Sequence, residues 1–398
     1  MPGTPLLAAY TARDLIKFKK LCCDKDTNPN EREYEIEGTK TILQRAVEDF
    51  NDAVVEILLS NPDLEPNLMS GIPNEENSDE ENEFNENPEN TTNPLLVGCS
   101  LGDFIMVDLL LNDSRVLVNV KDNNGWSPLT KTCSKGHTRV VERLMKHPEI
   151  DLNQATSIQE TPFYLACEAG HIDIVKLFLA DPRFEPDDIN RGEIENRTPF
   201  LEACSNGHIE IVKILLADCR VDPTIANRYN QTPLYAACGG SHADIAKLLV
   251  EDGRIDVNIP TLSGTTPFRT ACCHVNTDLV EYLLQVPDLD PSPEENLKLV
   301  CRRGDTVIAK VLFSHFDSIL TLELCKELAK LCVEPARYGP KVVPQTIVDI
   351  SVLLCQASGF STSEIFPECE QIEAINNRLQ VLRAKPPVGA KRTRKELD

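Results

Sequence analysis

Two short apolar stretches, separated by a glycine, alternate with polar turns along most of the chain. In the unit TPFYLACEAGHIDIVKLFLADPRFEPD, Thr161 can cap a helix that Pro162 begins with its fixed φ angle, and Gly170 can end it in the left-handed conformation. His171 then opens a second apolar stretch, made of Ile172, Ile174, Val175, Leu177, Phe178 and Leu179. The pattern predicts a short first helix, a second and more deeply buried helix, and a turn over residues 181–187.

This unit recurs at a nearly constant period. The prolines that begin the first helices stand at intervals of 34, 34, 37, 34 and 34 residues, at Pro94, Pro128, Pro162, Pro199, Pro233 and Pro267. Five residues after each proline stands a cysteine, and Cys301 follows Asn296 in a seventh copy that lacks the proline. Such a period is the signature of a solenoid. Helices this short are unstable alone because nucleation is costly, so each pair must be stabilised by its neighbours.

These residues closely resemble the ankyrin repeat, whose signature runs Thr-Pro-Leu-His-x-Ala-Ala-x-x-Gly-His before an Ile-Val-x-Leu-Leu helix. The resemblance covers residues 94–315 in seven copies and extends more weakly to two N-terminal copies that begin near Thr4 and Thr41. It implies an all-α, ankyrin-type helical solenoid with short β-hairpin tips. Helix pairs spaced by about 10 Å would make a gently curved, monomeric rod of roughly 90 Å. The first histidine of the signature is absent throughout, which predicts less rigid loops.

The domain boundaries follow from where the repeat pattern begins, widens and ends. Residues 1–71 hold the two degenerate repeats, residues 72–92 form an acidic insert, and residues 93–315 hold the seven clearer repeats. Within the insert, the stretch NEENSDEENEFNENPEN has eight acidic and no basic residues. It cannot bury a core, so we predict a disordered loop enlarged from a hairpin tip. It either stays solvated without a partner or docks onto a basic protein surface.

Residues 316–384 no longer show the repeat but have two apolar helical faces, one of Leu324, Cys325, Leu328, Leu331 and Cys332 and one of Ile372, Ile375, Leu379 and Leu382. A terminal repeat exposes an apolar flank that must be covered, so the first interpretation is a helical C-terminal cap. The alternative is an effector region. The stretch LAKLCVEPA, which contains Leu328, faintly resembles the Leu-x-x-x-Cys core of boxes that link ankyrin proteins to ubiquitin ligases, although Pro335 interrupts that helix early.

Charge and hydropathy narrow the classes of function. The chain has 63 acidic residues against 40 Lys and Arg, and its net charge of -23 disfavours binding to phosphate backbones. It has no apolar run near the roughly 18 residues that span a bilayer and no secretory signal at its start, so we expect a cytoplasmic protein. Residues 385–398 form a basic flexible tail that resembles a nuclear-import signal or an anion-binding tail, with Lys391, Arg392, Arg394 and Lys395.

Cysteine and histidine stand four residues apart in four copies, which could in principle ligate zinc: Cys133/His137, Cys167/His171, Cys204/His208 and Cys238/His242. Both residues recur at fixed repeat positions, and the intervening glycine, or Ser241 in the last pair, would end the helix between them. We therefore expect packing cysteines and no metal or cofactor. A catalytic Cys/His pair should be singular, and no phosphate loop, nucleophile elbow or paired-carboxylate motif is present, so we predict no enzyme activity.

The resemblance also implies where a partner protein would bind. The family's usual contact positions, on the tips and the first-helix face, correspond to Asn123, Asn124, Trp126, Glu160, Glu168, Arg197, Asn206, Arg228, Tyr229 and Gln231. Trp126, Arg228 and Tyr229 are the leading anchors because Trp, Tyr and Arg most often dominate binding energy. Packing of Trp126 against the next tip is the alternative for that residue.

The sequence thus predicts a non-catalytic scaffold for protein–protein interaction. The alternative is the substrate-recognition adaptor of a ubiquitin ligase or similar complex, with residues 316–384 as the recruiting element. A third hypothesis, an enzyme within the C-terminal region, is disfavoured because that region has no Ser, His or carboxylate constellation.

Overall fold

A computed structural model of the chain describes residues 5–24, 27–30, 32–35, 38–69, 92–333 and 344–365. The chain divides into two compact units, Met1–Arg228 and Tyr229–Asp398. The predicted acidic stretch 74–90, Pro335, the apolar face from Ile372 to Leu382 and the basic tail 385–398 lie outside the described residues.

The first unit is built from pairs of short helices. One antiparallel hairpin stands before the second pair, with strand β1 (Arg32–Glu35) facing strand β2 (Gly38–Thr41). The described helices of this unit are α1 (Pro5–Thr11), α2 (Leu15–Cys22), α3 (Ile42–Glu48), α4 (Asp52–Leu59), α5 (Pro94–Leu101), α6 (Phe104–Leu111), α7 (Pro128–Lys135), α8 (Thr138–Met145), α9 (Pro162–Glu168), α10 (Ile172–Ala180), α11 (Pro186–Ile189), α12 (Pro199–Ser205) and α13 (Ile209–Ala217).

The second unit continues the helix pairs and then changes to longer helices. Its described helices are α14 (Pro233–Gly239), α15 (Ala243–Asp252), α16 (Pro267–Cys273), α17 (Thr277–Leu283), α18 (Pro293–Arg303), α19 (Thr306–His315), α20 (Leu322–Val333), α21 (Pro344–Ser358) and α22 (Thr362–Ile365), with a 3-10 turn at Asp317–Ile319. The predicted all-α class is confirmed.

In the six copies that have the repeat proline, the first helix begins at a residue whose side chain caps it. In α9, the Oγ1 of Thr161 accepts a hydrogen bond from the backbone N–H of Tyr164 at 3.1 Å, and Pro162 occupies the first helical position, where its missing N–H costs nothing. Gly170 has a φ of 80°, a conformation that glycine adopts without a steric penalty, so the chain turns sharply before α10. The predicted start and end of this helix are confirmed.

The seventh copy begins differently. Its first helix, α18, starts at Pro293, three residues before Asn296, so a proline does begin this helix although not at the repeat position. Asn296 is buried, and its Nδ2 donates to the carbonyl oxygen of Pro291 at 2.7 Å.

The prediction that the second helix of a pair is the more buried one is wrong. In α9, six of the seven residues are buried, whereas α10 buries only Ile174, Val175 and Phe178 of its nine residues. The reason is the stacking: α9 packs closely on α7 and α12 and also on α10, while α10 contacts its own neighbours more loosely. The cysteine of each first helix sits in this layer, and Cys167 is fully buried.

Two predicted loops also differ in detail. The one-turn helix α11 begins at Pro186, inside the turn predicted over residues 181–187, and buries Ile189. The described hairpin tips before α7, α9, α12 and α16 contain no strands and are tight turns. Each is closed by a backbone hydrogen bond, such as the one from the N–H of Thr156 to the carbonyl of Glu160 at 2.9 Å. These tips are too short to form a regular two-stranded ladder.

The region after the repeats is helical where it is described. On α20, Leu324, Cys325 and Leu328 are buried and Leu331 is half-buried, which is the predicted apolar face. Helix α20 packs on α18, and α21 packs on α19.

Candidate functional site

Successive tips of the first unit are joined by backbone hydrogen bonds. The N–H of Ser157 donates to the carbonyl of Asn124 at 3.0 Å, the N–H of Ile194 to that of Ile158 at 3.1 Å, and the N–H of Arg228 to that of Glu195 at 2.8 Å. These bonds fix the register of one tip against the next, so side chains on neighbouring tips keep constant spacing.

Asparagine side chains supply a second link between repeats, which sequence reasoning missed. The Nδ2 of Asn190 donates to the carbonyl of Arg220 at 2.8 Å, while its Oδ1 accepts from the N–H of Asp222 at 2.9 Å. Asn119 makes the same pair of bonds to the turn of the next repeat. The recurrence of Asn nine residues before the prolines Pro128, Pro199 and Pro267 is the signal that could have revealed this link.

The turns after the second helices are held by an Asp-x-Arg pair, which was also missed. Asp113 and Arg115 form an ion pair at 2.6 Å, and the Arg115 guanidinium donates to the carbonyl of Leu59 at 2.8 Å in the preceding repeat. Bonding to Arg115 lowers the pKa of the Asp113 carboxyl. Because helix ends leave carbonyl groups without partners, such an arginine stabilises the previous helix. The motif recurs as DSR, DPR, DCR and DGR.

The histidines of the Cys/His pairs face the preceding repeat. The Nε2 of His171 lies 3.1 Å from the carbonyl oxygen of Ser134, and that of His208 lies 2.9 Å from the carbonyl of Glu168. Each histidine precedes the second helix, whereas its cysteine is buried in the first, so the two do not share a helical face. Among the described residues, no group of three or more His, Cys, Asp or Glu could hold a metal ion.

The predicted contact residues of the tip before α7 surround a buried aspartate, Asp122. The Oδ1 of Asp122 accepts from the N–H groups of Asn124 and Trp126, and its Oδ2 pairs with Lys131 at 2.8 Å. The Nζ of Lys131 lies 5.7 Å from the centroid of the Trp126 ring, within cation–π range. Asn123 and Asn124 are exposed and Trp126 is half-buried. Trp126 therefore has both a structural contact and an accessible surface.

The other predicted tip residues stand, in sequence, on either side of the point where the chain divides into two units. Arg228 ends the first unit and is exposed, whereas Tyr229, which is 43% exposed, and the half-buried Gln231 belong to the second. The carbonyl of Tyr229 accepts from the N–H of Leu262 on the next tip at 3.0 Å.

The remaining predicted residues lie at the ends of α9 and α12: Glu160 and Arg197 precede these helices, Glu168 ends α9 and Asn206 follows α12. Asn206 donates from its Nδ2 to the carbonyl of Glu168 at 3.1 Å, and the backbone N–H of Arg197 donates to Glu193 at 3.3 Å. Glu160 accepts a hydrogen bond from Thr156 at 3.1 Å. The structure thus brings Glu160, Glu168, Arg197 and Asn206 together and adds residues that sequence reasoning missed, namely Tyr164, Glu193 and Glu202.

Glu202 is the most buried acidic residue of this group. It is only 2% exposed and forms an ion pair with Arg197. Burial raises its pKa to about 7, with Arg197 opposing the shift and Glu168 and Glu193 adding to it. The sequence could have indicated this buried glutamate, because Glu202 stands three residues after Pro199, at the position where the preceding copy has the apolar Leu165. We name Glu160, Glu168, Glu193 and Glu202 the glutamate cluster.

Comparison with known proteins identifies the repeats. A family model described as ankyrin repeats (3 copies) matches residues 72–156, 95–190, 132–227, 182–261 and 201–295. The chain is similar to the protein in a crystal structure of EF0377, an ankyrin repeat protein, with 29% sequence identity over 48% of this chain and 96% of that chain and a TM-score of 0.43. No curated protein matches the chain. In the described residues no helix is both long and apolar enough to cross a membrane. Since the family matches span more than half of its residues, the chain belongs to the ankyrin repeat family, a class of helical solenoid.

Proposed function

We propose that the chain is a non-catalytic scaffold that binds another protein through its tips and first-helix faces. Ankyrin repeats are generally protein–protein interaction modules. The observation that best supports the proposal is the bonding of one tip to the next, with the carbonyl of Asn124 accepting from Ser157 and that of Glu195 from Arg228. Side chains on tips held in this way lose little conformational freedom when a partner binds, which favours affinity.

The anchors we propose are Trp126, Arg228 and Tyr229. The Asp122 carboxylate fixes the backbone of Trp126, and Lys131 lies over its ring, so this aromatic side chain is already oriented while part of it remains accessible. The exposed Tyr229 offers a second aromatic surface. Large aromatic side chains held in place are typical centres of binding energy.

The partner is first identified by capture with the tagged full chain from its native cell and mass spectrometry. Affinity for that partner is then measured with Trp126→Ala and Tyr229→Ala. We expect each to weaken binding by about 2 kcal/mol or more with little change in melting temperature. Unchanged affinity with a much lower melting temperature would assign both aromatic side chains to structure.

A matched control is Tyr282→Ala. Tyr282 lies on the second helix of its pair, α17, and Lys247 Nζ lies 5.6 Å from the centroid of its ring, much as Lys131 lies over Trp126. We expect the control to keep full affinity. An equal loss in the control would argue against the tips as the binding surface. Ubiquitin-ligase subunits among the captured proteins would favour the adaptor hypothesis instead.

A further inference from the structure

Helix α2 of the first repeat presents a basic face to solvent. Phe18 and Cys22, four residues apart, form its buried side. On the opposite side Ile16 precedes two lysines by three and four residues, which makes these side chains neighbours on the helix surface. Ile16 is 86% exposed, so a large apolar side chain stands among the cations. We name this exposed set, together with the arginine of the preceding turn, the α2 face: Arg13, Ile16, Lys17, Lys19 and Lys20.

The four cations of the α2 face are not neutralised by the part of the chain that the structure describes. None of their side chains forms an ion pair or a hydrogen bond with a described residue, and α2 itself contains no acidic residue. The carboxylate of Asp14 caps the helix instead, because its Oδ1 accepts from the backbone N–H of Lys17 at 3.0 Å. Lys17 and Lys20 are three residues apart, so their charges repel each other. An anionic segment on this face would relieve that repulsion.

The two ends of the acidic insert meet in the repeat that adjoins α2. The Nε2 of Gln44, in the first turn of α3, donates to the carbonyl of Thr92 at 2.5 Å and lies 3.5 Å from the carbonyl oxygen of Leu68. Helix α3 packs on α4, and α4 packs on α2. The chain therefore enters and leaves residues 74–90 from one place, a single repeat away from the α2 face.

The insert is long enough to span that distance. Helix α3 has seven residues, or about 10 Å, and two helix-to-helix steps of about 10 Å lead through α4 to α2, so the path is about 30 Å. An extended chain that starts at Leu68 spans roughly 36 Å at residue 79, and one that runs back from Thr92 spans roughly 30 Å at residue 83. The central acidic residues are thus within range of the α2 face: Asp79, Glu80, Glu81 and Glu83.

We propose that the acidic segment 74–90 docks on the α2 face of its own chain. Its eight acidic residues oppose the four cations, and its one aromatic residue, Phe84, stands among glutamates as Ile16 stands among lysines. Tethering gives the segment an effective concentration on the order of millimolar at the face, which favours it over an acidic segment of another protein. Exposed ion pairs are weak singly and screened by salt, so several must act together. The proposal goes beyond the scaffold function, since it concerns α2 and not the tips.

The test measures how fast each lysine of the full chain is acetylated, with the sites mapped by mass spectrometry. The natural chain is compared with a neutral-insert variant that carries Glu75→Gln, Glu76→Gln, Asp79→Asn, Glu80→Gln, Glu81→Gln, Glu83→Gln, Glu86→Gln and Glu89→Gln. At low ionic strength we expect Lys17, Lys19 and Lys20 to react about threefold or more slowly in the natural chain than in the variant. Equal rates in the two chains would overturn the proposal.

Lys176 is the matched control within the same chains. It is exposed on α10 of the first unit and, like the α2 lysines, has no ion pair with a described residue. Its rate should be the same in both chains, and at high ionic strength the α2 lysines of the natural chain should react as fast as those of the variant. If Lys176 slows as much as the α2 lysines, the net charge of the chain explains the protection and the proposal fails.

A second measurement identifies the occupant. A carbodiimide joins an amine to a carboxylate in direct contact, so we expect cross-links between the α2 lysines and acidic residues of the segment. In a mixture of isotope-labelled and unlabelled chains, both halves of each cross-link should carry the same label. Mixed labels would make a second copy the occupant, and phosphatidylserine vesicles that protect the α2 lysines equally in the natural chain and the neutral-insert variant would make it a membrane. Either result overturns the proposal. Loss of partner binding in Trp126→Ala is scored separately, so the tip anchors can fail while the docking stands.

Discussion

The imidazole of His208 lies against Gly170 of the preceding repeat. A Cβ atom at Gly170 would stand 2.6 Å from Cε1 of that ring, and the same contact joins His171 to Gly136. The glycine of the Gly-His motif therefore has two roles, since it adopts a positive φ and leaves room for the histidine of the next repeat.

This contact predicts that Gly170→Ala destabilises the first unit by about 2–4 kcal/mol, from left-handed strain of roughly 1–2 kcal/mol plus overpacking against His208. The control is Gly253→Ala, where φ is 74° and no atom lies within 4 Å of the added Cβ, so only the strain applies. Denaturant unfolding measures both. Equal losses in the two variants would show that His208 moves aside without cost.

Glu202 predicts a pH-dependent stability. Its pKa in the folded protein, about 7, exceeds its ordinary value of 4.5, so the folded state holds the proton more tightly than the unfolded state. The contribution of this carboxyl to the free energy of unfolding is fully present below pH 4.5 and is lost as the pH rises through 7. Glu202→Gln mimics the protonated form. Its free energy of unfolding should therefore rise, relative to that of the natural protein, by on the order of 2–3 kcal/mol between about pH 5 and pH 8.

The comparison requires unfolding curves of both proteins across that pH range. Glu210→Gln on α13 controls for the loss of one negative charge and should show no growing difference. A constant offset between Glu202→Gln and the natural protein at every pH would mean that Glu202 keeps its charge throughout.

The buried cysteines predict unequal thiol reactivity. Cys167 and Cys204 are fully buried and burial raises the pKa of both thiols, while it raises that of Cys238 to about 12. The thiolate is the reactive form, so a thiol reagent should label the exposed Cys23 and Cys219 in the native protein and spare these three. Peptide mapping by mass spectrometry identifies the labelled sites.

Replacement of Cys167, Cys204 and Cys238 by Ala should leave folding intact and cost no more than a few kcal/mol in total, because only small buried groups are lost. Metal analysis before and after the replacement tests the packing role. Loss of a stoichiometric metal ion would contradict it.

The C-terminal helices predict the effect of truncation after Phe316. We propose that they cap the repeats, since α20 packs on α18 and α21 on α19, with Cys325 and Leu328 fully buried. Their removal would expose the apolar surface of α18 and α19, so we expect aggregation or faster amide hydrogen exchange in those two helices. A truncated chain with unchanged exchange would favour the effector hypothesis.

Much of the fold could be predicted from the sequence because the signals are local. Thr161, Pro162 and Gly170 set the start and end of a helix through backbone geometry within a few residues, and the period of the prolines shows that the unit is repeated. The sequence also predicted that the paired Cys and His do not share a helical face, because the glycine between them ends the first helix. Four of the predicted contact residues lie together at the ends of α9 and α12, because equivalent positions of successive repeats are held at constant spacing.

Other features depended on contacts between residues 30 to 40 positions apart, such as Asn190 with Arg220 and His208 with Glu168. Burial of α9 exceeds that of α10 because neighbours cover it on both sides, and hydrophobicity along the chain carries no information on how many neighbours a helix has. For Glu202, the repeat position indicates burial but the residue type predicts exposure, and only the stacking of α12 on α9 places its carboxyl near Tyr164 and Glu168. The sequence by itself determined the repeat and its helices, through short-range backbone preferences. The tertiary structure decided which charges are buried together, because desolvation and repulsion arise only when separate repeats are packed side by side.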